Sequence, residues 1–371
     1  MKNILVVLGT RPEAIKLAPV ILELRKNKNY NVLVCNTEQQ KELSNQTLGF
    51  FGIKADYNLD AMLPNQTLPG IQARILNKLS EIYANTKIDA TIVQGDTMTV
   101  FCGALVSFYN KVPVFHVEAG LRSYDLFEPF PEEAMRQMTA RITDLHFAPT
   151  SLAQEALLKE NIAPTKIFMT GNTVIDALFC LSADVISSAE NVLHQKGIVL
   201  NDKLVLVTAH RRENHGERLD KILEAITELT HKYTDHQFVL PVHPNPNVHD
   251  KVYKALDNIP NVILTNPLDY PELVCIMKNA KLVLTDSGGI QEEAPTFGAP
   301  VLVMRYETER MEGVEAGYAK LVGADKQKII AEVSNILSQD KTSTRLDGAK
   351  NPYGDGKAAQ KIATAISEYF K

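Results

Sequence analysis

Long apolar runs, a surplus of one charge and paired cysteines are all missing from these 371 residues, and each absence removes a class of function. The opening Ile4–Leu8 run is too short for the apolar part of a signal peptide or for a membrane span, and Gly9, Arg11, Pro12 and Glu13 end it. The chain is therefore expected to work in the cytoplasm, away from membranes. Basic residues number 39 and acidic ones 44, well mixed, for a net charge of −5, so nothing favours nucleic acid as a partner. An anionic ligand must then be held by local groups. Cys35, Cys102, Cys180 and Cys275 are widely spaced among apolar neighbours and form no Cys-x-x-Cys pair; they read as buried reduced thiols. No Gly-x-Gly-x-x-Gly follows the first strand, no phosphate loop carries a lysine, and nothing resembles a His-Glu-x-x-His pair. No cofactor and no metal is expected. Internal repeats and low-complexity tracts are also absent.

What is present is an ordinary globular composition, 45% hydrophobic and 22% charged, in a chain long enough for two domains. The stretch that organises it is Lys281–Pro295. Leu282–Leu284 has the length of a buried parallel strand; it turns at Thr285-Asp286-Ser287-Gly288-Gly289 into helix-compatible residues. The two glycines let a ligand approach the backbone, and the helix start offers N–H groups to a phosphate. An ordinary turn capped by Ser287 or Asp286 fits the same residues.

The same grammar runs through the first half. Asn3–Leu8 reads as a strand turning at Gly9-Thr10 into a helix, with Thr10 and Glu13 at capping-box spacing. Arg11 in the first turn opposes the helix dipole by up to ~1 kcal/mol, a penalty that a bound anion reverses. Lys16 lies one turn on, as a second cation or a plain surface lysine. Val32–Asn36, Ala90–Gln94 and Val112–Val117 read as further strands, with helices around Lys41–Phe50 and Leu68–Tyr83. Alternating strands and helices imply a parallel sheet whose ligand lies beyond the strands' carboxyl ends. That rule brings Arg11, Asp96 and Glu118 to one rim. Asp96 also suits a helix N-cap, whereas glutamate is a poor cap, so Glu118 is harder to explain away. The loop Arg122–Glu133 mixes carboxylates, aromatics and prolines, and leads to Glu132 and Glu133, which double as favourable first-turn acids of a Glu132–Thr143 helix.

In the second half, Ser151–Glu160 reads as a helix and Lys166–Met169 as a strand, with a hinge near Thr170-Gly171-Asn172. Strands then end in His210-Arg211-Arg212, His243, Asn266, Ser287 and Arg305. Polar loops are commonplace, but they do not predict a cationic, proton-transferring set such as His210, Arg211 and His243. Arg310 suits a phosphate clamp or an ion pair with Glu309 or Glu312. Lys357–Phe370 reads as an amphipathic closing helix. Proton chemistry on a phosphate-linked small molecule is the function class that survives.

With those residues in place, the chain closely resembles the non-hydrolysing UDP-N-acetylglucosamine 2-epimerase family. The likeness runs through Gly9-Thr10-Arg11-Pro12-Glu13-Ala14-Ile15-Lys16, Gln94-Gly95-Asp96-Thr97, His116-Val117-Glu118-Ala119-Gly120-Leu121-Arg122, Pro129-Phe130-Pro131-Glu132-Glu133, His210-Arg211-Arg212-Glu213-Asn214, Asp286-Ser287-Gly288-Gly289-Ile290-Gln291-Glu292-Glu293 and Thr308-Glu309-Arg310. The resemblance implies two Rossmann-like α/β domains facing a cleft, as in GT-B nucleotide-sugar glycosyltransferases. The expected limits are 1–171 with 356–371, the acid–base side, and 172–355, the UDP side. It implies a homodimer that interconverts UDP-GlcNAc and UDP-ManNAc through a 2-acetamidoglucal and supplies surface polysaccharide. Ser287, Gly288, Gly289 and Glu293 would hold UDP, with Arg11, His210 and Arg310 near the diphosphate. Asp96, Glu118 and Glu132 would be the acid–base carboxylates, with Lys16 close by.

Some positions depart from the family. Thr37-Glu38-Gln39-Gln40-Lys41-Glu42-Leu43 replaces the stretch that binds a second, activating substrate, and Asn65 stands where relatives can carry arginine. Gln39, Arg211 and His243 remain as contacts for such an effector. Met311 replaces a proline, and Tyr318 a threonine. Competing readings are a hydrolysing epimerase that releases ManNAc, a UDP-sugar glycosyltransferase and a UDP-sugar sensor.

Overall fold

The computed structural model describes residues 1–371 except 64–65 and 341–343, and the backbone alone at Arg212. Asn65, contrasted above with an arginine, lies outside the described residues. The chain forms two compact units, Met1–Cys180 with Tyr353–Lys371, and Leu181–Pro352.

The first unit is built on a seven-stranded parallel sheet. Its strands are β1 (Lys2–Leu8), β2 (Tyr30–Asn36), β3 (Tyr57–Asn58), β4 (Ala90–Gln94), β5 (Val114–Val117), β6 (Leu145–Ala148) and β7 (Ile167–Met169), in the order β3-β2-β1-β4-β5-β6-β7. Ile4 through Leu8 are all fully buried, so helices cover both faces of β1 and its apolar run need not alternate. Strand order reverses beside β1, with β2 on one side and β4 on the other. Such a reversal splays the following loops apart and leaves a crevice at the strands' carboxyl ends. Gly9-Thr10-Arg11 and Gly95-Asp96-Thr97 occupy those ends.

The second unit repeats the plan with β8 (Leu204–Thr208), β9 (Gln237–Pro241), β10 (Val262–Thr265), β11 (Leu282–Thr285), β12 (Val301–Val303) and β13 (Ala319–Leu321), in the order β10-β9-β8-β11-β12-β13. Leu282–Thr285 of β11 lies in register with Val205–Thr208 of β8, and the reversal falls between them. Thr208-Ala209-His210 and Asp286-Ser287-Gly288 leave the sheet there side by side.

Several elements escaped the sequence reading for identifiable reasons. The β6 strand has His146 in its middle, although all four residues are buried and His146 stands opposite His116 of β5. The two-residue β3 and the edge strand β13 owe their existence to backbone pairing with β2 and β12, not to an apolar run. The helices Thr173–Cys180 and Ala183–Gln195 were also not expected. The first of them belongs to the first unit, because Asp176 accepts the Ala358 and Ala359 N–H groups at 3.2 and 2.8 Å and so anchors the returning Ala358–Tyr369 helix. Ile362, Ala365 and Ile366 of that helix are buried, and Tyr369 meets the Phe115 ring edge-on at 5.1 Å. Among the described residues, no helix is long and apolar enough to cross a membrane.

Candidate active site

Glu118 follows the last residue of β5, in a left-handed conformation with φ of 61°. That backbone is unusual for a residue with a side chain and recurs at functional positions. It turns a carboxylate that is only 7% exposed toward Lys16, whose ammonium contacts both oxygens at 2.6 and 2.7 Å. The Gln94 amide donates to the same carboxylate, and Asn172 approaches it at 3.5 Å. Lys16 is thus neither solvated nor ornamental: it is paired inside the unit with the residue that the strand grammar singled out.

Asp96 leaves the end of β4. It does not cap the following helix; the Thr97 hydroxyl does, accepting the Val100 N–H. The Asp96 carboxylate instead receives Arg136 at 2.6 Å. Arg136 lies one turn beyond Glu132 on the Glu132–Arg141 helix and also reaches Glu133 at 3.3 Å. Against the effect of burial, the Ser123 N–H, the Gln137 amide and Arg136 hold the Glu133 carboxyl below its usual range. Glu133 therefore ties down the loop, with Glu132 half-buried beside it. His116 bonds the Gly95 carbonyl through Nε2 at 2.7 Å, and burial pushes its ring down to about 4, so it is neutral and props the Asp96 turn.

The turn after β1 carries Arg11, whose N–H meets the Gln40 side chain at 3.0 Å. Gln39, expected as an effector contact, accepts the Thr99 hydroxyl at 3.0 Å. Glu13 completes the expected capping box and does more than that. Its Oε2 takes the Gly9 and Thr10 N–H groups at 2.6 and 3.2 Å, while Oε1 takes the Thr97 hydroxyl. Burial pushes this carboxyl up to about 7.

In the second unit the fully buried Asp286 is the organiser. It accepts the backbone N–H of His210 at 2.9 Å and of Arg211 at 2.9 Å, the Asn214 amide at 3.0 Å, and faces His210 Nδ1 at 3.1 Å. Burial opposes its ionisation, but the His210 ring and these donors hold the carboxyl below the usual range. Asp286 is thus an orienting group for His210, not a cap of the next helix. His243 lies parallel to the His210 ring, 6.1 Å away, and burial followed by the charge of His210 pushes its pKa down.

Ser287 stands at the start of the short Gly288–Glu293 helix with no cap bond from its side chain. A Cβ on Gly288 would lie 3.2 Å from Arg310 Cζ and 3.4 Å from Arg211 Nη2, so two guanidinium groups sit over this glycine. Arg310 pairs with Glu292 at 2.9 Å and with Glu309 at 3.4 Å. Glu293 is buried one turn along, with Gly289 beside it. The unit therefore gathers His210, Arg211, Arg310 and backbone N–H groups around one turn, an arrangement suited to a diphosphate.

The chain as a whole has counterparts among known proteins. A family model described as UDP-N-acetylglucosamine 2-epimerase matches residues 22–367. The UDP-N-acetylglucosamine 2-epimerase of Escherichia coli strain K12 is 46% identical over 368 residues, covering 98% of each chain. The chain belongs to the UDP-N-acetylglucosamine 2-epimerase family. The crystal structure of the Neisseria meningitidis family member bound to UDP-GlcNAc is 43% identical, with a TM-score of 0.87 over 99% of this chain and 100% of that one. A glycotransferase of kitacinnamycin, 14% identical, superposes with a TM-score of 0.63 over 98% of each chain and so shares the fold. The family member in hand adds partners that residue-by-residue reading passed over: Gln94 and Asn172 on Glu118, Arg136 on Asp96, and Asn214 on Asp286. Gln94 and Asn172 were visible inside strand-end turns, but only the fold brings them together. Arg136 looked like any helix-surface arginine.

Proposed function

We propose that this chain interconverts UDP-GlcNAc and UDP-ManNAc by reversible elimination and re-addition of UDP, without hydrolysis. One observation carries the reading. The crevice of the first sheet ends in carboxylates, Asp96 and Glu118 with Glu132 nearby, whereas the crevice of the second ends in His210, Arg211, Arg310 and the Ser287-Gly288-Gly289 turn. Leaving-group departure needs positive charge and N–H donors, and moving a carbon-bound proton needs positioned carboxylates. Family membership and the UDP-GlcNAc complex of the Neisseria relative support the same substrate.

In this mechanism a carboxylate takes the C2 proton. The C–H electrons form the C1=C2 double bond, and the C1–O bond breaks, with UDP leaving on the electron pair. Re-addition of UDP to C1 of the 2-acetamidoglucal, with a proton delivered to the other face of C2, gives the epimer. Lys16 holds Glu118; Ser287, Gly288, Gly289 and Glu293 hold UDP; and Arg11, His210 and Arg310 meet the diphosphate. Gln39, Arg211 and His243 are the residues assigned to a second nucleotide sugar. The enzyme acts as a homodimer in the cytoplasm and supplies ManNAc units for surface polysaccharide.

The test is an incubation with UDP-GlcNAc in D2O followed by NMR. UDP-ManNAc carrying deuterium at C2 is the expected product. Epimerisation with the original hydrogen retained removes the mechanism, and free ManNAc as the main product replaces it with the hydrolysing reaction.

A further inference from the structure

Glu13 is 2% exposed and ionisable, yet the mechanism above gives it nothing to do. Three donors converge on it. The Gly9 and Thr10 N–H groups bind Oε2 at 2.6 and 3.2 Å, and the Thr97 hydroxyl binds Oε1. These donors come from two different loops. Gly9 and Thr10 belong to the turn after β1 that delivers Arg11; Thr97 follows Asp96 in the turn after β4. The two strands are neighbours beside the reversal of strand order, so the loops that follow them diverge.

We propose that Glu13 is a positioning residue, a carboxylate bridge that fixes the Arg11 turn to the Asp96 turn and so keeps leaving-group and proton contacts at one spacing. This inference rests on the reaction proposed above. A glutamate serving only as a helix cap would use one oxygen on the Gly9-Thr10 amides and leave the other to water. Here the second oxygen is spent on Thr97, inside the protein. The surroundings hold the bridge in place: a Cβ on Gly9 would lie 2.0 Å from Thr37 Oγ1 and 2.6 Å from Thr99 Oγ1, so the first turn has no room to shift outward. Keeping an ionisable carboxyl there, pushed up to about 7 by burial, is unfavourable for folding, and such sacrifices concentrate at functional sites.

The experiment compares the full chain with Thr97→Val, Thr97→Ser, Glu13→Gln and the Glu13→Gln/Thr97→Val double variant. It measures kcat and KM for UDP-GlcNAc, deuterium uptake at C2, melting temperature, and amide exchange in the 9–13 segment. Thr97→Val should lower kcat about tenfold or more with KM little changed, since misplacement of reacting groups by ~1 Å costs up to ~10²-fold. Thr97→Ser, which restores the hydroxyl, should return kcat to within about threefold of the starting enzyme. The double variant should be no worse than the poorer single one, as expected for two groups acting through one contact. Thr97→Val should also speed amide exchange in the 9–13 segment, on the other strand's loop. Unchanged exchange there, or a kcat that Thr97→Ser does not restore, overturns the bridge. If the unaltered chain puts no deuterium at C2, the reaction itself has been misread, and the amide exchange alone still decides whether Glu13 links the turns.

Discussion

Glu118 combines two features that work against each other unless they serve a purpose. Its left-handed backbone costs of order 1 kcal/mol or more for a residue with a side chain, and its carboxylate is buried against an ammonium. Replacing it by glutamine should reduce C2 deuterium exchange by about 10²–10⁴-fold, the usual worth of a general acid or base. The same change removes the carboxylate that Lys16 contacts through both oxygens, so the melting temperature should fall as well. Adding Lys16→Met to Glu118→Gln should recover the melting temperature but not the exchange, which separates chemistry from folding. Glu13 makes a different prediction. Its carboxyl is raised from 4.5 to about 7, so below pH 4.5 it is protonated folded or unfolded, and stability is lost as the pH climbs from about 4.5 through about 7. The loss amounts to roughly 3 kcal/mol at full ionisation. Glu13→Gln should therefore melt higher than the unaltered chain at pH 8, and this advantage should shrink as the pH falls through 7 and vanish below pH 4.5.

Elements locate these groups because strand ends are where a parallel sheet runs out of hydrogen bonds. The reversals beside β1 and between β8 and β11 send the following helices to opposite faces and open the loops between them. Most strands were readable as short apolar runs between polar turns, and the helix Lys41–Phe50 begins and ends where its pattern does. The β6 strand was not readable, because His146 breaks the run and its burial is decided by the strands on either side. The Gly288–Glu293 helix offers a direct test. Gly288→Ala places a methyl 3.2–3.4 Å from the Arg310 and Arg211 guanidinium groups and should push them outward. UDP affinity, measured by calorimetry, should fall about tenfold, equivalent to one charge-assisted hydrogen bond. The melting temperature without UDP should hardly move, because alanine is the better helix former.

At the scale of the whole molecule, two units of one architecture carry different side chains at their strand ends, carboxylates in one and His210, Arg211 and Arg310 in the other, and their stabilities should answer to different ligands and mutations. UDP at 100 times its Kd should stabilise the Leu181–Pro352 unit by ~2.7 kcal/mol, visible in calorimetry as a rise of several degrees. Asp176→Ala strips the acceptor from the Ala358 and Ala359 N–H groups and should cost the first unit about 1–3 kcal/mol, with the UDP-dependent rise intact. The architecture and the residue types of both rims follow from local rules that act within a few positions: apolar runs make strands, glycines make turns, and parallel sheets put their ligands beyond strand ends. Partnership obeys no such rule. Lys16 and Glu118 are 102 positions apart, Arg136 and Asp96 40, and Asp286 and His210 76. Each pair exists because strand order and register carry distant loops to the same edge, where a buried charge must find an opposite one or a hydrogen-bond donor.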